Sequence, residues 1–175
     1  MIRNILITGR PGCGKSTLIK RLIEGLGGEW KIAGIVTPEI RKNHKRFGFR
    51  IIDLLSGEGE ILASVDIKSE IRVSKYFVNL DGIEKILDKF MESFEEADLF
   101  VVDEIGKMEL LSGRFRDIII KILDSEKPVV ATVALSKDPF IEGLKKRKDS
   151  KVFYLERRGL EKILKEVETT ISRIL

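Results

Sequence analysis

At 175 residues, 43% of them hydrophobic and 34% charged, the chain has the length of one domain and enough apolar content for a sizeable core, which excludes disordered, collagen-like and low-complexity classes. Its 32 Lys and Arg against 28 Asp and Glu leave a net charge of +4, but the signs are interspersed, so charge alone does not mark a nucleic-acid binder. A single Cys excludes an internal disulfide, and the lack of Gln, with Asn only at Asn4, Asn43 and Asn79, is the pattern of a heat-adapted protein.

The first predicted element is an apolar strand, Ile2 to Thr8, which stops at Gly9 and is too short for a secretion signal or a membrane span. A cytoplasmic address follows as the expectation. After a glycine-rich turn comes a helix with Leu18, Ile19, Leu22, Ile23 and Leu26 at helical spacing, ended by Gly25, Gly27 and Gly28. Trp30 to Val36 reads as a strand, and Phe47 to Leu55 with Glu60 to Val65 as an antiparallel hairpin around Ser56-Gly57-Glu58-Gly59. The basic run Arg41 to Arg46, with the lone histidine His44, is expected in a loop between them. Tyr76 to Val78 is a short strand. Asn79 or Asp81 then caps a helix with Ile83, Ile86, Leu87, Phe90, Met91 and Phe94 on one face.

The second half alternates apolar strands with helices. Leu99 to Val102 is a fully apolar strand ending in Asp103-Glu104, and Phe115, Ile118, Ile119, Ile122 and Leu123 mark an amphipathic helix. Pro128 to Leu135 reads as a buried parallel strand, Phe140 to Lys148 as a short helix ending in Lys145-Lys146-Arg147-Lys148, and Val152 to Leu155 as a last strand. Leu160, Ile163, Leu164, Val167, Ile171 and Ile174 form the stripe of a C-terminal helix. The alternation predicts a single α/β domain over 1–175, with a mostly parallel central sheet covered by helices on both faces and an added antiparallel hairpin.

Two motifs carry chemistry. Gly9-Arg10-Pro11-Gly12-Cys13-Gly14-Lys15-Ser16 fits G-x-x-x-x-G-K-[ST] and lies between a strand and a helix, where backbone N–H groups and the helix dipole cradle phosphates. Lys15 supplies a charge to the outer phosphates, Ser16 a hydroxyl for Mg²⁺, and Cys13 a small filler whose N–H does the binding. The second motif is the apolar strand ending in Asp103-Glu104, a Walker B pattern. Asp103 is the expected metal ligand beside Ser16, and Glu104 the group that orients or deprotonates the attacking water. Asp103-Glu104-Ile105-Gly106 also matches the D-x-x-G of guanine-nucleotide switches. The guanine-reading N-K-x-D is absent, Ser136-Lys137-Asp138-Pro139 having the wrong first and last residues. Arg41, Arg46 and Lys107 are candidates to reach the transferring phosphoryl group, against the plainer reading of a solvated basic face.

These residues together resemble the small P-loop nucleoside-triphosphatases of thermophilic bacteria and archaea, whose vertebrate relatives are called cancer-related nucleoside-triphosphatases. The resemblance takes in the phosphate loop with Thr17, Gly34 to Arg41, Gly48 to Leu54, Arg72 to Val78 and, most specifically, Asp103 to Glu109. It implies a three-layer RecA-like fold and Mg²⁺-dependent hydrolysis of ATP, GTP, CTP and UTP or TTP to diphosphates with little base selectivity. It carries nucleotide contacts onto Gly9, Arg10, Pro11, Gly12, Cys13, Gly14, Lys15, Ser16 and Thr17, and onto Val102, Asp103, Glu104, Ile105 and Gly106. Lys15 and Glu104 are the catalytic pair and Ser16 and Asp103 the metal ligands, while Lys107 and Glu109 belong to the signature without an assigned role. The chain is expected to act as a monomer on nucleoside triphosphates, away from membranes. Two other classes share the phosphate loop. A nucleoside or nucleotide kinase fits the size but lacks an Arg-rich lid, and a nucleotide-gated RNA-binding module would use the two basic runs.

Overall fold

The computed structural model describes residues 1–175, and in it every β-strand joins one ten-stranded sheet. Five strands are parallel neighbours: β1 (Asn4–Thr8), β2 (Ile32–Val36), β8 (Leu99–Ile105), β9 (Val129–Val133) and β10 (Ser150–Tyr154) lie in the order β10-β1-β9-β8-β2. The sheet continues antiparallel from β2 through β4 (Lys45–Asp53), β5 (Gly59–Ser64), β7 (Tyr76–Val78) and β6 (Arg72–Val73), with β3 (Glu39–Lys42) paired to β4. The antiparallel part is therefore larger than the single hairpin expected.

Side chains alternate across the parallel strands and divide the core in two. Ile5, Ile7, Leu99, Val101 and Val130 face α1 (Lys15–Leu26) and α5 (Leu160–Ser172), which bring Leu18, Leu22, Leu164 and Val167. Leu6, Phe100, Val102, Val129 and Ala131 face the other way, under α2 (Leu80–Glu92), α3 (Gly113–Asp124) and α4 (Pro139–Lys145). Phe90, Phe94 and Phe100 meet there with ring centroids 5.0 to 5.8 Å apart. Three layers result, helices on both faces of the sheet, as the alternation of strands and helices predicted. No helix is long and apolar enough to cross a membrane.

Several boundaries moved. The run Arg41 to Arg46 is a hairpin, not a loop: Lys42 pairs with Lys45, and Asn43 and His44 make the two-residue turn with φ of 51° and 62°. Positive φ at both turn residues matches the right-handed twist of the flanking strands. The helix expected to run to Lys148 ends at Lys145, and β8 runs on through Asp103-Glu104 to Ile105. The cap of α2 is Asn79, whose carboxamide oxygen accepts the N–H of Gly82 at 3.2 Å.

The order also determines where a site can form. The helices that follow β1 and β10 lie on one face, those that follow β8 and β9 on the other. Between β1 and β9 the connections diverge, opening a crevice at the carboxyl ends of the strands.

Candidate active site

The turn from Gly9 to Gly14 sits at the mouth of that crevice. Gly12 (φ 76°) and Gly14 (φ 106°) hold backbone conformations that L side chains rarely adopt, and Gly14 is the residue from which α1 starts. No side chain caps this helix, so the N–H groups of Lys15, Ser16 and Thr17 have no partner within the protein and their partial positive charge is directed at the opening. Ser16 and Thr17 are exposed. Cys13 is buried in the core cluster that holds Ile5, Leu18 and Phe153, as a filler would be, but its N–H, expected to bind phosphate, donates instead to the Arg10 carbonyl oxygen at 3.1 Å, which closes the turn.

Lys15 folds back over the turn. Its Nζ donates to the Gly9 carbonyl oxygen at 2.6 Å and lies 4.0 Å from Glu104 Oε2, which brings the two sequence motifs together. Asp103 is fixed by a neighbouring strand: the buried Thr132 hydroxyl of β9 donates to its Oδ1 at 2.6 Å, leaving the second carboxylate oxygen free. Burial pushes Glu104 up from its ordinary value. The Lys15 ammonium opposes that shift, and the Asp103 charge adds to it.

Thr37, just past the end of β2, is the hub behind the two carboxylates. Its N–H donates to the Asp103 carbonyl oxygen at 2.7 Å. Its hydroxyl accepts the Glu104 N–H at 3.2 Å and lies 3.0 Å from the Asp103 carbonyl oxygen and 3.1 Å from Glu109 Oε1. The hydroxyl has one proton for two acceptors, so both contacts are hydrogen bonds only when Glu109 is itself protonated and donates to Thr37. Burial favours that state. Glu109 is 5% exposed, and burial pushes its carboxyl up to about 7, helped by the charge of Glu104 and opposed by hydrogen bonds to the backbone and Thr37. Between the two carboxylates lies Gly106, where a Cβ would come within 2.9 Å of both Glu104 Oε1 and Glu109 Oε2.

The basic candidates end up elsewhere. Arg41 and Arg46 are both paired with Glu39 at the base of the hairpin, at 3.1 and 2.6 Å, and neither lines the cavity over the phosphate turn. Lys107 is exposed and makes no ion pair. That cavity, about 540 Å³, is bounded by Gly9 to Cys13 on one side and by Leu135 and residues 154–157 on the other. Thr37, Thr132 and the bonding of Glu109 were missed from the sequence, because each acts through a partner brought close only by the sheet.

Comparison with known proteins decides among the classes that share this turn. A family model described as NTPase matches residues 4–168. The chain belongs to this NTPase family. A nucleoside-triphosphatase THEP1 of Thermotoga maritima is 50% identical over 172 residues, covering 96% of this chain and 95% of that protein. Among solved structures, the crystal structure of THEP1 from the hyperthermophile Aquifex aeolicus has a TM-score of 0.83 at 32% identity, covering 96% of this chain and 98% of that one. The solution structure of a human cancer-related nucleoside triphosphatase has a TM-score of 0.78 at 30% identity, with 97% of each chain covered. The resemblance to the small P-loop nucleoside-triphosphatases is borne out.

Proposed function

We propose that the chain hydrolyses nucleoside triphosphates to diphosphate and phosphate, with the turn Gly9 to Ser16 holding the phosphates and Glu104 preparing the water. The observation that carries this reading is the approach of Lys15 Nζ to within 4.0 Å of Glu104 Oε2. One group supplies charge to a terminal phosphate, and the other waits where an in-line water would enter. Lys15 and the first-turn N–H groups of α1 offset the charge that develops on the transferring phosphoryl group. Thr37 holds the backbone at Glu104 so that its carboxylate keeps one orientation. Burial raises the pKa of Glu104, which makes it a stronger base than an ordinary carboxylate.

The donors fit Mg²⁺. Ser16 offers a hydroxyl and Asp103 one free carboxylate oxygen, and no cluster of three or more His, Cys, Asp or Glu forms a metal cage of its own. Mg²⁺ prefers such sparse sites, bound by one carboxylate, substrate phosphates and water, and when bound it supplies charge neutralisation at the phosphates. Glu104→Gln tests the reading. Nucleotide binding should stay within about twofold of the parent while phosphate release falls by about two to four orders of magnitude, the range typical of a lost general base. A parent-like turnover in this variant would sink the role given to Glu104.

A further inference from the structure

The cavity beside the phosphate turn has a second wall that the phosphates do not need. Of the seven large hydrophobic side chains exposed on the whole surface, two stand on this one cavity: Leu135 at 50% and Tyr154 at 66%. They arrive from two different strand ends. Leu135 follows β9 and Tyr154 ends β10, the two strands that flank β1 and its phosphate turn. An exposed aromatic ring costs solvation, and a pair of apolar groups on the rim of a polar cleft marks a ligand surface rather than scattered surface residues. The charged residues of the lining, Arg10, Glu156 and Arg157, are exposed and form neither side-chain hydrogen bonds nor ion pairs.

Building on the phosphate site proposed above, we infer that Leu135, Tyr154 and Arg157 form the nucleobase subsite and hold the base by its face rather than by its edge. An aromatic ring and a guanidinium plane both stack on any base, because every base has a π face. Discrimination among bases needs donors and acceptors held in fixed positions, so that the wrong edge leaves them unpaired. Here the polar side chains are solvated and untethered, and a mismatched edge loses nothing. Broad base acceptance is therefore built into the wall itself. Purines, with the larger stacking area, bind somewhat tighter than pyrimidines.

The experiment compares ligands with and without a base, and reads binding instead of turnover. Isothermal titration with Mg²⁺ gives Kd for ADP, GDP, CDP, UDP and inorganic pyrophosphate on the parent, Tyr154→Ala and Tyr154→Phe. Loss of a base–aromatic stack should weaken all four diphosphates by about five- to tenfold in Tyr154→Ala. The purine–pyrimidine difference should shrink, pyrophosphate should bind as before, and Tyr154→Phe should bind like the parent. Unchanged diphosphate affinity would overturn the inference. So would an equal loss for pyrophosphate, which would make Tyr154 a support of the phosphate turn, or a loss confined to one base, which would mean edge reading. Parent turnover of nucleoside triphosphates, measured alongside, tests the hydrolase reading separately.

Discussion

Glu109 gives the sharpest quantitative prediction, because it is a buried carboxyl whose protonated form is favoured by burial. Its folded-state pKa is about 7 against an ordinary value of 4.5. Between these values the folded protein binds a proton that the unfolded chain has released, so wild-type stability falls as pH rises. Stability from this group is complete below about 4.5 and lost as pH passes through about 7. At 1.36 kcal/mol for each unit of pKa, the loss is about 3 kcal/mol. Glu109→Gln keeps the shape, can donate its amide N–H to Thr37 and does not titrate. At pH 4 the variant should match the wild type, and at pH 8 it should be more stable by about 3 kcal/mol, a large part of a typical folding free energy. Equilibrium unfolding in guanidinium chloride at four pH values between 4 and 8 measures the difference. A gap constant within about 0.5 kcal/mol over that range would show that the Glu109 carboxyl titrates in the folded protein as it does in the unfolded chain, and the proton assignment at Thr37 would be wrong.

Thr37→Val removes the hydroxyl behind the Glu104 N–H, which leaves a half-buried donor unpaired at a cost of about 1 to 3 kcal/mol. Turnover should fall roughly tenfold to a hundredfold with KM nearly unchanged, and Thr37→Ser should restore it; an equal loss in both variants would remove Thr37 from the positioning role. The acid limb of the turnover profile should have its midpoint above the ordinary carboxylate value of 4.5, because Glu104 must be ionised to act and its pKa is raised. The limb should vanish from the residual rate of Glu104→Gln, as a pH series of both proteins will show.

The parts of the site that announce themselves in sequence are those made by one short stretch of chain. Gly9 to Ser16 is legible because strand, turn and helix follow each other in the order the phosphate chemistry needs, and Leu99 to Glu104 because an unbroken apolar strand ending in carboxylates is a local pattern. Thr37 and Glu109 lie 72 positions apart, and their contact exists only because β2 and β8 are neighbours. No local signal announces such a pair. The hairpin at Arg41 to Arg46 was hidden for another reason. Its residues are nearly all charged, so no alternation of apolar and polar side chains reveals the strands, and only the positive φ of Asn43 and His44 makes it a turn. Tyr154 was read as part of a strand, which it is. That it stands exposed on the cavity that the phosphate turn also lines is a fact of tertiary structure.

Gly106 shares its spacing from Asp103 with the glycine of guanine-nucleotide switches, but the packing around it assigns a different duty. A methyl group at this position would collide with two carboxylates at once, one on the water side and one in the interior. The residue is a spacer of zero width that lets two carboxyl groups stand back to back. A smaller side chain in place of Glu109 would remove one of the two collisions and leave the one with Glu104, so position 106 would accept Ala only if the Glu104 side chain also moved aside. The two positions are bound together by a shared volume, so the glycine of this motif marks a crowded place and not a hinge.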